Sequence, residues 1–282
     1  MKPGSLALLS VLLAAVTLGC NYTDRSRDGR AAIESPPPPR PYLLHLPGIG
    51  GKRSIDRMLT EGLVQGGMDA EVEIYDWTQD DPGLSALYAR QRNERQADRV
   101  AQMIVTRYRA DPRTRIYLSG HSGGAGIALW ALQRLPDDVK VESLLLIAPA
   151  VSPRYDLSPA LRHVRGRAYA LYSPHDPVLG IGTRTFGTID GVKTDAAGRI
   201  GFTMPETGEA RQYEKLVLIG YDSAWIRLGN IGDHIGAMMR PFAREILAPL
   251  FRTGVLRQLA EATTRPATTR PATTRATTGA AR

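Results

Sequence analysis

The chain has 282 residues, 43% of them hydrophobic, which suffices for one large domain or two small ones with a substantial core; one domain is expected. Its formal charge of +8 sits mostly at the ends, +4 of it in residues 262–282 and only +2 in residues 41–261, so the basic face that nucleic-acid binding needs is not called for. Cys20 is the single cysteine, which excludes an intramolecular disulfide and leaves the core to hold itself by packing.

In chain order, Lys2, an apolar run over residues 6–18 and the small Gly19 read as an export signal over residues 1–20, too short to span a bilayer. Thr17-Leu18-Gly19-Cys20 resembles a bacterial lipoprotein lipobox, with Thr17 where leucine is usual. The resemblance implies lipidation of Cys20 and a protein anchored at a membrane facing the periplasm or exterior. Cleavage without lipid would instead give a secreted protein. Residues 21–40 end in Ser35 and four prolines, a polyproline spacer that would hold a domain off the membrane.

Strands are predicted at 42–46, 72–77, 116–119, 141–148, 168–172 and 216–221, and helices at 54–64 (from a Ser54 cap), 84–108, 124–135 and 236–259. This alternation over a domain at 41–261 implies an α/β fold: a mostly parallel central sheet with helices on both faces. Ligands of such sheets sit beyond the carboxyl ends of the strands. The arginines of 107–115 are read as solvated helix and turn residues. Residues 191–202 read as a hairpin, either a substrate wall or a surface excursion. The Ala-Thr-Thr-Arg-Pro repeats of 262–282 have no apolar face to bury and are expected to be disordered, as a surface tether or an uncommitted tail.

Gly120-His121-Ser122-Gly123-Gly124 matches Gly-x-Ser-x-Gly, in which a serine caps a sharp turn between strand and helix. With this glycine and serine content the bare motif arises by chance in roughly one such chain in eight. Here it directly follows an apolar strand and opens a helix of Gly124, Ala125, Gly126 and Ala128, the context the turn requires. A serine nucleophile needs a base, and the base needs an orienting group. Of the five histidines, His45 lies in a strand, His121 in the elbow, His163 after an amphipathic segment and His175 before an aspartate. His234 stands in Gly232-Asp233-His234-Ile235-Gly236 after the last strand, where a loop can deliver an imidazole to the strand ends, and is the expected base. Asp176, held between Pro174 and Pro177 after the fifth strand, is the expected orienting acid; Asp190 and Asp222 are its rivals.

The order Ser122, Asp176, His234, each on a loop after a strand, resembles the α/β-hydrolase superfamily of serine esterases and lipases. By this resemblance, Leu44-His45-Leu46-Pro47-Gly48-Ile49-Gly50-Gly51 takes the place of the oxyanion loop, with proline where histidine is usual. The backbone N–H groups of Ile49 and Gly123 would then receive the developing oxyanion. Only residues 151–166 stand where many members insert a helical cap after the family's sixth strand, so no large cap and an open site are expected. Trp225, Met238 and Met239 are candidates to line an acyl pocket. The implied activity is hydrolysis of a small-molecule or lipid ester by a monomer without cofactor; no His, Asp or Glu cluster has metal-ligand spacing, so no metal is expected. An acyltransferase with the same residues, or a non-catalytic surface-binding protein of this fold, are the other classes open to the sequence.

Overall fold

The computed structural model describes residues 37–79 and 81–251. The expected export signal, Cys20, the spacer up to residue 36, the tail repeats and the end of the last helix beyond residue 251 lie outside the described residues. Six strands form one sheet: β1 (Tyr42–Leu46), β2 (Glu71–Ile74), β3 (Ile116–His121), β4 (Ser143–Ile147), β5 (Ala168–Tyr172) and β6 (Leu216–Gly220). Their order is β2-β1-β3-β4-β5-β6, and every neighbouring pair is parallel. This is the expected fold class, an α/β fold built on a parallel central sheet.

The central strands are buried along their whole length, which is why β1 and β4 read as continuous apolar runs without alternation. Successive residues face opposite layers. Tyr42, Leu44 and Leu46 of β1 belong to a core that includes Val100 and Ile104 of α3 (Arg90–Ala110) and Ile127 of α4 (Gly123–Leu132), whereas Leu43 belongs to a core with Leu59 and Leu63 of α1 (Ser54–Gln65). Among the cations of 107–115, Arg107 pairs with Glu71, Arg109 with Asp138 and Arg113 with Asp111.

Four local expectations are corrected. Ser54 is the first helical residue of α1, not its cap; Arg53 caps it, and its backbone N–H donates to Asp56 Oδ2 at 2.7 Å. The helix expected at 84–108 is two, α2 (Leu84–Tyr88) and α3, because the buried amide of Asn93 donates to the Ala86 carbonyl at 2.7 Å and ends the first. The hairpin expected at 191–202 has no strand: Gly191 closes a turn, and α7 (Ala197–Ile200) follows α6 (Pro177–Phe186). The backbone donors of Ala197 and Gly198 are taken by the carbonyls of Val151 and Pro149, so none is left for a partner strand. The helix expected from residue 236 is segmented into a 3₁₀ turn (Gly236–Met238), a short α turn (Arg240–Phe242), a π turn (Ala243–Leu247) and a further α turn (Ala248–Phe251). Pro249 lacks the N–H that a regular helix would supply to the Glu245 carbonyl.

Candidate active site

The carboxyl edge of the parallel sheet gathers the loops after β1, β3, β5 and β6 around Ser122. Ser122 stands between β3 and α4 at φ 53° and ψ −119°, a left-handed backbone that a non-glycine residue holds only when its surroundings impose it. Three backbone contacts do so: the Ser122 N–H donates to Ile147 O at the end of β4 at 2.9 Å, and the Ser122 carbonyl accepts from Ala150 N after β4 and from Ala125 N of α4, both at 3.1 Å. A side chain at Gly124 would place its Cβ 2.2 Å from the Pro47 carbonyl and 2.4 Å from that of Leu46. Glycine there is what lets the elbow helix press against the loop leaving β1.

His234, on the loop after β6, has its ring edges at both partners. Nε2 lies 3.0 Å from Ser122 Oγ and Nδ1 lies 2.7 Å from Asp176 Oδ2. A carboxylate only accepts, so Nδ1 carries the proton toward Asp176 and Nε2 is left to accept from the serine hydroxyl. Asp176 is buried, and its other oxygen accepts from Leu179 N at 2.9 Å as the cap of α6. Both carboxylate oxygens are therefore held, and the ring is aimed. Ser122 is 6% exposed and the His234 side chain 13%, so both are largely covered by the surrounding loops.

The glycine loop after β1 lies against the serine. A Cβ at Gly48 would stand 3.3 Å from Ser122 Cβ, and one at Gly123 would stand 2.8 Å from the Ile49 side chain. Ile49 and Gly123 are thus adjacent. Gly123 is the first residue of α4, where a backbone N–H has no acceptor within its own helix. The loop is pinned by Trp77 Nε1 donating to the Pro47 carbonyl at 2.7 Å and by Gly83 N donating to the Ile49 carbonyl at 2.6 Å.

Of the residues expected to line an acyl pocket, Trp225 borders a hollow beside His234 and Asp176, together with Ile219, Tyr221 and Ala237. Met238 does not: the 3₁₀ turn of 236–238 carries it fully into the core with Phe242 and Leu247. Met239 packs against Gly229 and does not line that hollow. The rival acids are used elsewhere, Asp190 on Ser152 and Asp222 on the Ala224 N–H. After β4, residues 151–166 hold one helix, α5 (Ser158–Leu161), whose Ala160 and Leu161 are buried. The segment after α6 sends Ile189 onto the elbow helix, where Cβ atoms at Gly123 and Gly126 would meet it. Among the described residues, no group of His, Cys, Asp and Glu could hold a metal ion.

Two residues support this site without having been singled out by the motif. The hydroxyl of Ser173 donates to the Gly232 carbonyl at 2.6 Å, joining the loop of Asp176 to the loop of His234. His121 Nε2 donates to the His234 carbonyl at 2.9 Å, with ring centroids 4.8 Å apart, while its Nδ1 faces Gly48. His121 thus bridges the His234 loop and the glycine loop. Burial, and then the neighbouring His234, push its pKa from the usual 6.5 down to about 3, so it stays neutral as a positioning residue. Its folded pKa lies below the unfolded one. As pH falls from about 6.5 toward 3, the unfolded chain takes up a proton that folded His121 refuses, and stability is lost over that window. His121→Asn should reduce the slope of stability against pH there by up to about 1.4 kcal/mol per pH unit, read from urea unfolding across the range. Identical slopes would remove this role. His45 forms a second hydrogen-bonded set, with Ser119 Oγ at 2.8 Å and Asp56 Oδ1 at 3.0 Å, but all three are sealed in the core and face no substrate.

No family model and no curated relative matches this chain. Similar solved structures include TT1662 from Thermus thermophilus (17% identity, 80% of this chain and 91% of that one, TM-score 0.45) and Est1E from Butyrivibrio proteoclasticus (12%, 80% and 91%, 0.43). XC6422 from Xanthomonas campestris, described as an α/β serine hydrolase without lid, is 14% identical over 79% of this chain and 85% of that one, with a TM-score of 0.40. At these identities, the chemistry below rests on the side chains of this chain alone.

Proposed function

We propose that the protein is an exported serine hydrolase that cleaves an ester through an acyl-enzyme. The observation that carries this reading is the unbroken relay from Ser122 Oγ through His234 to buried Asp176, at 3.0 and 2.7 Å. Ser122 Oγ attacks the ester carbonyl while its proton passes to His234 Nε2. The amides of Ile49 and Gly123, with the positive end of α4, take the negative charge on the carbonyl oxygen. The C–O bond then breaks, the alcohol leaves with the proton from His234, and water releases the acid by the reverse course. Asp176 orients the ring and stabilises the imidazolium. Lipidation at Cys20 would tether this domain to a membrane surface; cleavage alone would release it.

The test is turnover of p-nitrophenyl esters of increasing acyl length by the purified protein. Asp176→Asn is expected to keep the fold and lower kcat by about 10⁴-fold, because an amide no longer selects the ring tautomer that accepts from serine. Unchanged kcat in that variant would exclude Asp176 from the relay.

A further inference from the structure

The loops framing Ser122 and His234 carry apolar side chains on their solvent side. α6 starts immediately after Asp176; its Leu179 and Thr183 are buried, while Val178, Ile181 and Phe186 face outward at 53%, 72% and 41% exposure. This reverses the usual order of a surface helix, which hides its apolar stripe. Tyr88 of α2, itself exposed, donates its hydroxyl to the Phe186 carbonyl at 3.2 Å and extends the same surface. Ile231 and Ile235 stand exposed on either side of His234. All follow β2, β5 or β6 at the carboxyl edge of the sheet, the edge that holds the serine.

Charge supports one kind of occupant. Arg53 on the loop after β1, Lys193 on the segment after α6 and Arg227 after β6 are exposed and form no ion pair with any described residue, and the Arg53 guanidinium lies over Gly50 of the glycine loop. Of the acids on these segments, Asp81 is paired with Arg92 and Asp195 with Arg184 and Arg199, whereas Asp222 accepts from the Ala224 N–H and Asp233, beside His234, pairs with no described cation. Apolar side chains with free cations around them are the composition of a surface that enters an anionic lipid interface. The length of chain before the described residues fits as well. The stretch from Cys20 to Pro37 would span about 50 Å if extended as polyproline, long enough for a lipid-anchored domain to turn this edge toward its own membrane.

We propose that this apolar collar seats on an anionic lipid bilayer and presents Ser122 to long-chain acyl esters held in it. The substrate class rests on the hydrolase reading above; the lipid-binding surface does not. Both cores lie within residues 42–250, so the chain from Asn21 onward serves for the test and avoids the apolar leader. Its co-sedimentation with vesicles of phosphatidylcholine and phosphatidylglycerol is compared with that of a Val178→Ser, Ile181→Ser, Phe186→Ser variant. The variant is expected to partition about tenfold less while hydrolysing short, soluble p-nitrophenyl acetate at the parent rate. Ile181→Ser alone, at the most exposed position, should give a smaller loss in the same direction and guards against misfolding of the triple variant. Equal partitioning of parent and variants would overturn the proposal and assign binding to the arginines of the tail. Failure of the parent to sediment with vesicles, or a parent dimer that the variant dissolves without any change in lipid binding, would overturn it too. Weaker lipid binding by the variants, with no ester turnover by any of the proteins, would uphold the surface and remove the hydrolase reading.

Discussion

Ser122→Ala and His234→Ala should each lower kcat on a p-nitrophenyl ester by about 10⁴- to 10⁶-fold, and the double variant should be no worse than either alone. The reason is that the two residues act as a unit. Without the imidazole the hydroxyl keeps its proton, and without the hydroxyl the imidazole has nothing to activate. Ser122 is nearly buried and its alanine variant loses only the hydroxyl, so unfolding midpoints should move little. The residual rate would come from the amides of Ile49 and Gly123 and from substrate binding. Losses that multiply in the double variant would mean independent roles, contrary to a proton passed across the 3.0 Å contact.

Gly124→Ala is expected to damage both stability and activity without touching a reacting atom. The added methyl would sit 2.2 Å from a backbone carbonyl at Pro47 and 2.4 Å from that of Leu46, where no side-chain rotation can relieve the clash. The elbow helix and the glycine loop must separate, at a cost of about 1–3 kcal/mol or more as overpacking. That separation also withdraws the loop that would bind the oxyanion, so kcat should fall by 10²-fold or more in protein that remains folded. Thermal unfolding and kinetics on the same preparation measure the two effects. A variant with parent stability and parent kcat would show that the close approach has no bearing on catalysis.

Much of this site was legible because parallel strands make position informative. A residue just after a strand must stand at the carboxyl edge, so Ser122 after β3, Asp176 after β5 and the loop of His234 after β6 were bound to meet there. The prolines around Asp176 and the small residues opening α4 carried the same message locally. What the sequence did not disclose depends on contacts between distant segments. His121 was visible only as a motif position; its bond to the His234 carbonyl joins residues 113 apart. Ser173 and Gly232 are joined across 59 residues in the same way. Met238 is near His234 in sequence, but one 3₁₀ turn rotates it into the core. The break between α2 and α3 has no glycine or proline to announce it and follows from a buried asparagine amide. Gly191 and Gly198 look alike in sequence but act differently, and no hairpin forms over 191–202. The first makes a turn, whereas the second lets a helix press on Pro149.

The most direct test of Ser122 as an activated nucleophile is covalent labelling by a fluorophosphonate, read by intact mass and by mapping the modified peptide. One adduct per chain is expected, on Ser122, absent from Ser122→Ala and greatly slowed in His234→Ala. Folded protein that takes up no probe, or an adduct on another residue that survives Ser122→Ala, would contradict the account.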